Sequence, residues 1–307
     1  MLSNAIPARN SVAAVLRVPR ILLLCLQESR PSVQVVFLLR FSAAYLLAGP
    51  AVSGSGVFLT AGGAWVAATA YTYLVNGVHD APEDRVNGNG RPVSRGDLPV
   101  RDARRVARGL VGVALLLAAV SGVGWLLPLV GAHLLCGYAY SAPRIALKRS
   151  TPTAVAAVLV LGGLTFAAGW VSGGAGAGGG TVLAFGTVMT LWMGAVGALV
   201  KDLSDLRGDA AAGRRTALVV WGERRARAVC AVNPLAVALP FLLVALFRIP
   251  LLILPALFLT TGAVATAVLT LRTSSDQPRR ISRLPYRAFM VTQYAACSAL
   301  LLAALLR

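Results

Sequence analysis

Six residues in this chain have types and spacings suited to binding a metal and an anionic substrate. Asn76, Asp80 and Asp84 recur every fourth residue, which places them on one helix face, one turn apart. Pro82 interrupts this run, so Asp84 is expected just past a kink or on the following loop, with Glu83 pointing elsewhere. Asp202, Asp205 and Asp209 follow at i, i+3 and i+7, again as one stripe, with Gly208 and Gly213 expected to break the helix nearby. Acids at a helix C-terminus oppose its dipole, and like charges one turn apart repel. Stacking them there costs stability unless a cation neutralises them. Oxygen donors without His or Cys suit Mg²⁺, which takes one or two carboxylates and completes its shell with substrate phosphates. Two such groups facing one another would hold Mg²⁺ bridging a diphosphate.

The cations nearby fit an anionic substrate. Arg85 and Arg91 follow the first group, and the stretch Tyr138–Lys148 ends in a basic residue. Lys148 and Lys201 are the only lysines among 29 basic residues, and both border a candidate motif. An ammonium is a compact point charge that binds phosphate without forked geometry. His79 is read as a loop residue, and His133, in the middle of an apolar stretch, as a hydrogen-bonding partner for another helix.

These residues must be positioned by helices in a membrane. The 307-residue chain is 57% hydrophobic with 31 glycines and only 13% charged residues. That excess of apolar surface excludes a soluble globule, a disordered chain and a disulfide scaffold. The net charge of +18 is read as a topology signal, with no nucleic-acid partner implied and no obligate protein partner legible. Nine spans are expected, near 35–51, 56–78, 106–122, 124–142, 152–172, 181–200, 228–246, 249–271 and 288–306. With the N-terminus in the cytosol, 26 of the 29 basic residues and all 11 acidic ones fall on the inner segments. Arg40 lies within the first span, and only Arg248 and Arg307 fall outside. Residues 1–34 form a cytosolic or interfacial segment in which 11–27 is an amphipathic helix, and 35–307 form a single transmembrane domain. Cys25, Cys136, Cys230 and Cys297 show no metal or redox spacing, and the glycine-rich run 173–180 reads as a flexible linker. The Arg, Ala, Gly and Val bias fits a bacterial plasma-membrane protein.

The residues then resemble a known family. Asn76-x3-Asp80-x3-Asp84-Arg85-x-Asn87-x3-Arg91-Pro92 is similar to the first aspartate-rich signature of UbiA-type intramembrane prenyltransferases. Lys201-Asp202-x2-Asp205-x2-Gly208-Asp209 resembles the second, Tyr140–Lys148 resembles the loop between them, and Arg30-Pro31 fits the usual start. The resemblance implies an all-α bundle of about nine transmembrane helices with a central cavity capped by cytosolic loops. It implies Mg²⁺-dependent transfer of a prenyl group from its diphosphate to an aromatic or lipidic acceptor. It assigns Asp80, Asp84, Asp205 and Asp209 to catalysis, with Asn76 and Asp202 joining them as metal ligands, and Arg91, Tyr140, Lys148 and Lys201 to the substrate. Two departures stand out: Gly77, where the family commonly has Asp, and Pro82 within the motif.

In this reading, Tyr71, Tyr73, Tyr138 and Trp192 offer rings to an allylic cation. Terpene cyclisation without an acceptor is the alternative outcome on such a scaffold. A transporter or lipid-binding module fits less well, because the charged clusters sit at helix ends and not at mid-membrane.

Overall fold

A computed structural model describes residues 7–49, 54–176 and 178–306. Those residues are helical throughout, apart from turns and one isolated bridge pairing Ser150 with Arg215. The first half comprises α1 (Pro7–Glu28), α2 (Pro31–Leu47), α3 (Gly54–Val86), the short α4 (Pro92–Arg95), α5 (Val100–Val120), α6 (Leu126–Ser141) and α7 (Thr151–Ser172). The second half comprises α8 (Gly179–Leu191), α9 (Ala198–Asp202), α10 (Leu206–Ala211), α11 (Ala217–Trp221), α12 (Glu223–Phe247), α13 (Ile253–Arg272), α14 (Arg279–Ser282) and α15 (Leu284–Leu305). Pro31, Pro92, Pro152 and Pro285 occupy first turns, where the missing N–H has no intrahelical partner to lose.

Each expected span falls on a helix, but the helices are unequal. Among the described residues, five stretches are long and apolar enough to cross a bilayer: Thr151–Ser172, Gly179–Asp202, Glu223–Phe247, Pro250–Arg272 and Arg279–Leu305. The end of α1 and α2 qualify only together, as a pair bent by 68°. The bend falls at Ser29 and Arg30, where Arg30 takes a left-handed φ of 56°. Helix α6 has 16 residues, α5 opens with Arg101, Asp102, Arg104 and Arg105, and α3 dilutes its apolar residues with Thr, Tyr and Gly.

Large apolar side chains such as Leu59, Leu135, Leu183 and Phe247 are more than 70% exposed. Such a surface suits lipid, and this is an integral membrane protein. Inside, one apolar core gathers Phe166, Phe185, Trp192, Phe241 and Phe289, and a second gathers Phe41, Trp65, Leu126 and Leu134. A third, of Cys25, Leu74, Val78 and Leu98, ties α1 to α3 and the loop beyond. All four cysteines are free.

Three local expectations are corrected. Helix α3 runs through Pro82 to Val86, so Asp84 and His79 are helical and not on a loop. The second motif is not one helix: α9 ends at Asp202, and Asp205 occupies the N-cap position of α10. Just before it, Trp192–Gly197 winds as a π-helix, a wider turn common at functional sites. The glycine-rich run is not a loose linker either. A Cβ on Gly178 would meet the Leu47 carbonyl oxygen, and one on Gly173 would meet that of Tyr45, so these glycines let α7 and α8 close onto the end of α2.

Candidate active site

The C-terminal parts of α3 and α9, with α10 packed beside them on the end of α3, meet at a cavity holding about 1100 Å³ of empty space, mouth included. Its polar rim includes Arg30, Asn76, Tyr140, Lys148, Lys201 and Arg214. Deeper, the walls are Phe37, Val158, Leu161, Met193 and Phe289.

Two polar bridges join the motifs. In the first, Arg214 donates Nη2 to Asp80 Oδ1 at 2.7 Å and Nη1 to Asp209 Oδ1 at 3.2 Å. Arg214 also pairs with Glu83, and Lys148 pairs with Asp80. In the second, Asn89 donates Nδ2 to Asp84 Oδ1 at 2.6 Å, and Arg279 Nη2 reaches both Asn89 Oδ1 at 2.9 Å and Asp205 Oδ1 at 2.7 Å. The Asn87 side chain accepts from Gly208 N at 2.8 Å, which seats α10 on the end of α3. Gly208 is needed there, because its Cβ would lie 2.6 Å from Asn87 Cγ.

The electrostatics follow from burial among cations. Burial would raise Asp80, but Lys148, Arg214 and Lys201 together hold it well below the usual carboxylate range. Glu83 is pushed up to about 7 by burial and by the neighbouring Asp80. Asp205 is lowered: burial raises it, but Lys201 and Arg279 outweigh that effect. Asp209 is raised, chiefly by burial. His79 is lowered by burial and then by Lys148, so it is neutral at pH 7.

The expected residues divide in their placement. Asn76, Tyr140, Lys148, Lys201 and Asp202 line the cavity. Asp80, Asp84, Asp205 and Asp209 are buried at its mouth within the two bridges. Arg91 lies behind the rim, held by Glu28, Asp84 and backbone carbonyls. Glu83 does not point away: residues 80 and 83 are i and i+3 on a continuous helix, so they share a face. Tyr73 lines the cavity, while Tyr71 packs into an apolar core, Trp192 is buried against Phe289, and Tyr138 faces outward at 49% exposure. His133 stacks edge-on against Phe37 and Trp65, with neither ring nitrogen hydrogen-bonded.

Sequence reading missed Arg214, Arg279 and Glu28, and it took Arg30 only as part of the start of the first span, with no place at the site. Each is one basic or acidic residue among many, outside the repeating pattern, and only folding brings it to the site.

Among the described residues, no three His, Cys, Asp or Glu side chains converge on one point as a ready metal cage. The donors nevertheless fit Mg²⁺. All are oxygens, and Asp209 Oδ2 is buried with no hydrogen-bond partner. Mg²⁺ also needs only one or two carboxylates when phosphate completes its shell. Lys148 and Arg214 cover Asp80, while Asn89 and Arg91 hold Asp84, and a bound cation would take the place of Lys148 and Arg214.

A membrane bundle with two acidic motifs gathered at an apolar cavity defines the class to which the chain belongs by its fold and site. The comparisons narrow this class. The model of the UbiA prenyltransferase family matches residues 37–303, and the chain belongs to that family. It is therefore a prenyltransferase by class. The digeranylgeranylglyceryl phosphate synthase of Halobacterium salinarum is 33% identical over 199 residues, which cover 64% of this chain and 67% of that one. The homogentisate phytyltransferase of a Synechocystis species is 34% identical over 144 residues, 44% of this chain and 46% of that one. The fold is shared with a UbiA homologue from Archaeoglobus fulgidus bound to GPP and Mg²⁺, at a TM-score of 0.66 and 18% identity. That alignment covers 90% of this chain and 99% of the other. A digeranylgeranylglyceryl phosphate synthase structure superposes at 0.66 with 17% identity over 94% and 99% of the two chains.

Proposed function

We propose that this protein transfers a prenyl group from a prenyl diphosphate to an acceptor within the membrane, in a reaction that requires Mg²⁺. The observation carrying this reading is that Asp80 and Asp209, from motifs far apart in sequence, share the Arg214 guanidinium at the mouth of an apolar cavity. The relatives' names, which specify synthesis of a prenylated glyceryl phosphate and phytyl transfer to homogentisate, support the same chemistry.

Asn76, Asp80 and Asp84 would hold Mg²⁺ on one side, and Asp202, Asp205 and Asp209 on the other. When bound, the metal neutralises the diphosphate and favours its departure as a leaving group. The chain's own residues do the rest. Lys201, Tyr140 and Arg30 line the mouth and receive diphosphate oxygens. Lys148 and Arg214, freed from Asp80, turn their N–H groups to the same oxygens as charge grows there. Phe37, Leu161, Met193 and Phe289 hold the prenyl chain and exclude water from the allylic carbon. The rings of Tyr73, Tyr286 and Phe289 border the space the cation would occupy.

The same reading places nine spans in the bilayer, with the aspartate-bearing ends in the cytosol of a bacterial cell and the C-terminus outside. The inner segments gather nearly all the charge, which supports that orientation.

Membranes containing the protein, incubated with C10 to C20 prenyl diphosphates, Mg²⁺ and a lipid and quinone-precursor extract, should yield a prenylated product by mass spectrometry. Asp80→Ala and Asp209→Ala should each abolish it while the protein still inserts. Full turnover in EDTA, or in either variant, overturns the metal-site reading. A hydrocarbon product formed without extract identifies a cyclase instead.

A further inference from the structure

Gly77 in α3 has no room for a side chain. A Cβ there would run into Glu28 Oε1 and Arg91 Nη2, and would lie 2.7 Å from Glu28 Cδ. Glu28 ends α1 and is wholly buried. Its carboxylate thus fills the space that an acidic side chain at position 77 would enter. Its Oε1 is 2.8 Å from Arg91 Nε, and its Oε2 accepts from Val93 N at 2.8 Å. The Arg91 guanidinium continues from there into the first motif. Nη2 donates to the carbonyls of Glu28 at 2.8 Å and Tyr73 at 3.2 Å. Nη1 donates to Asp84 Oδ2 at 3.2 Å and to Asn76 Oδ1 at 3.5 Å. Of the Arg91 side-chain nitrogens, Nη1 alone touches motif residues, while Nε and Nη2 are turned to Glu28 and the Tyr73 carbonyl, and Arg91 is not part of the cavity lining.

We propose that Glu28 supplies, from a separate helix, the carboxylate that α3 lacks at position 77. It is a positioning residue: it fixes Arg91, and Arg91 fixes Asp84 and Asn76 in the orientation in which they receive a divalent cation. A guanidinium left with only Asp84 as an anionic partner would draw that carboxylate to itself, because a buried charge takes whatever counter-charge is within reach. With Glu28 present, Arg91 is neutralised from behind, and Asp84 Oδ1 stays with Asn89 Nδ2 and is not drawn to the guanidinium. The bend at Ser29 and Arg30 is part of the device, since it turns the end of α1 back onto α3. This inference rests on the metal-dependent reading above.

The test moves the carboxylate between positions. Parent protein in detergent is titrated with Mn²⁺ by electron paramagnetic resonance, in the presence of a non-hydrolysable prenyl thiodiphosphate. Glu28→Gln, Gly77→Asp and the combined Glu28→Ala/Gly77→Asp are compared with it, and thermal unfolding is followed in parallel. Glu28→Gln should weaken Mn²⁺ binding roughly tenfold, as expected for loss of a charge-assisted contact. Gly77→Asp alone should weaken it at least as much, because two carboxylates then compete for one space. The combined variant should return to within about threefold of the parent, which a contact serving only to anchor α1 would not achieve. If Glu28→Gln does not fold, the combined variant decides alone. Parent-like binding by Glu28→Gln overturns the proposal. So does a combined variant that stays unfolded or binds no better than Gly77→Asp. A parent that binds neither Mn²⁺ nor analogue instead overturns the metal-dependent reading itself.

Discussion

Lys148 occupies Asp80, and Arg214 occupies both Asp80 and Asp209, two of the carboxylates that the proposed cation needs. Lys148 is only 8% exposed and is paired with Asp80, so it contributes to the fold as well as to the site. Its removal leaves Asp80 with Arg214, so Lys148→Met should destabilise the metal-free protein by about 1–3 kcal/mol. Arg214→Met leaves Glu83 and Asp209 short of a partner as well, and should cost about 3–5 kcal/mol. Both losses should shrink when Mg²⁺ and a non-hydrolysable prenyl diphosphate analogue are added, because the metal then neutralises the same oxygens. Thermal unfolding in detergent with and without the pair of ligands measures this. A loss that stays constant would show that the two cations serve the fold alone. In kinetics, Lys148→Met should raise KM for the prenyl diphosphate about tenfold or more and leave acceptor affinity unchanged.

Among the elements, the π-helical turn Trp192–Gly197 determines how α8 delivers Lys201 and Asp202 to the site. The wider turn shifts the helix register, so the residues beyond it leave α9 facing the cavity. Small residues make this possible. A Cβ on Gly197 would collide with the Phe289 ring, 2.8 Å from its Cε1, and one on Gly194 would lie 2.6 Å from Leu159 Cδ2. Phe289 is also a cavity wall, stacked on Trp192 and Tyr286. Gly197→Ala should therefore destabilise the protein by about 1–3 kcal/mol through overpacking. It should also shift chain-length preference toward shorter prenyl diphosphates, as the displaced ring enters the cavity. Unfolding temperatures and a product series from C10 to C20 substrates check the two effects. Unchanged chain-length preference in a destabilised variant would separate Phe289 from the prenyl path.

Over the whole molecule, nearly all the charge falls on the segments read as inner, with Arg40, Arg248 and Arg307 the exceptions. The orientation read from the basic residues places Arg101 in the cytosol and Gly124 outside. Both tolerate change: Arg101 is exposed, and a Cβ on Gly124 meets nothing within 4 Å. In right-side-out vesicles, a membrane-impermeant maleimide should label Gly124→Cys above the parent background. Arg101→Cys should label only after the vesicles are opened. The reverse pattern would invert the topology, and labelling of both from outside would mean a miscounted span.

Hydropathy and charge, read along the chain, were enough to establish a membrane bundle, because both are local properties that lipid and water sort directly. The repeating spacing of Asn76, Asp80, Asp84, Asp205 and Asp209 likewise made the acidic site legible, since a helical period is written in residue numbers. Tertiary structure alone decided which cations meet those acids. Arg214 and Arg279 join no periodic pattern, and Glu28 reaches Gly77 from another helix across a bend. Tertiary structure also showed that the second motif is broken at Asp202, and that the glycine run is packed and not loose. Such pairings depend on how helices distant in sequence lie against each other, and spacing along a single helix carries no record of that.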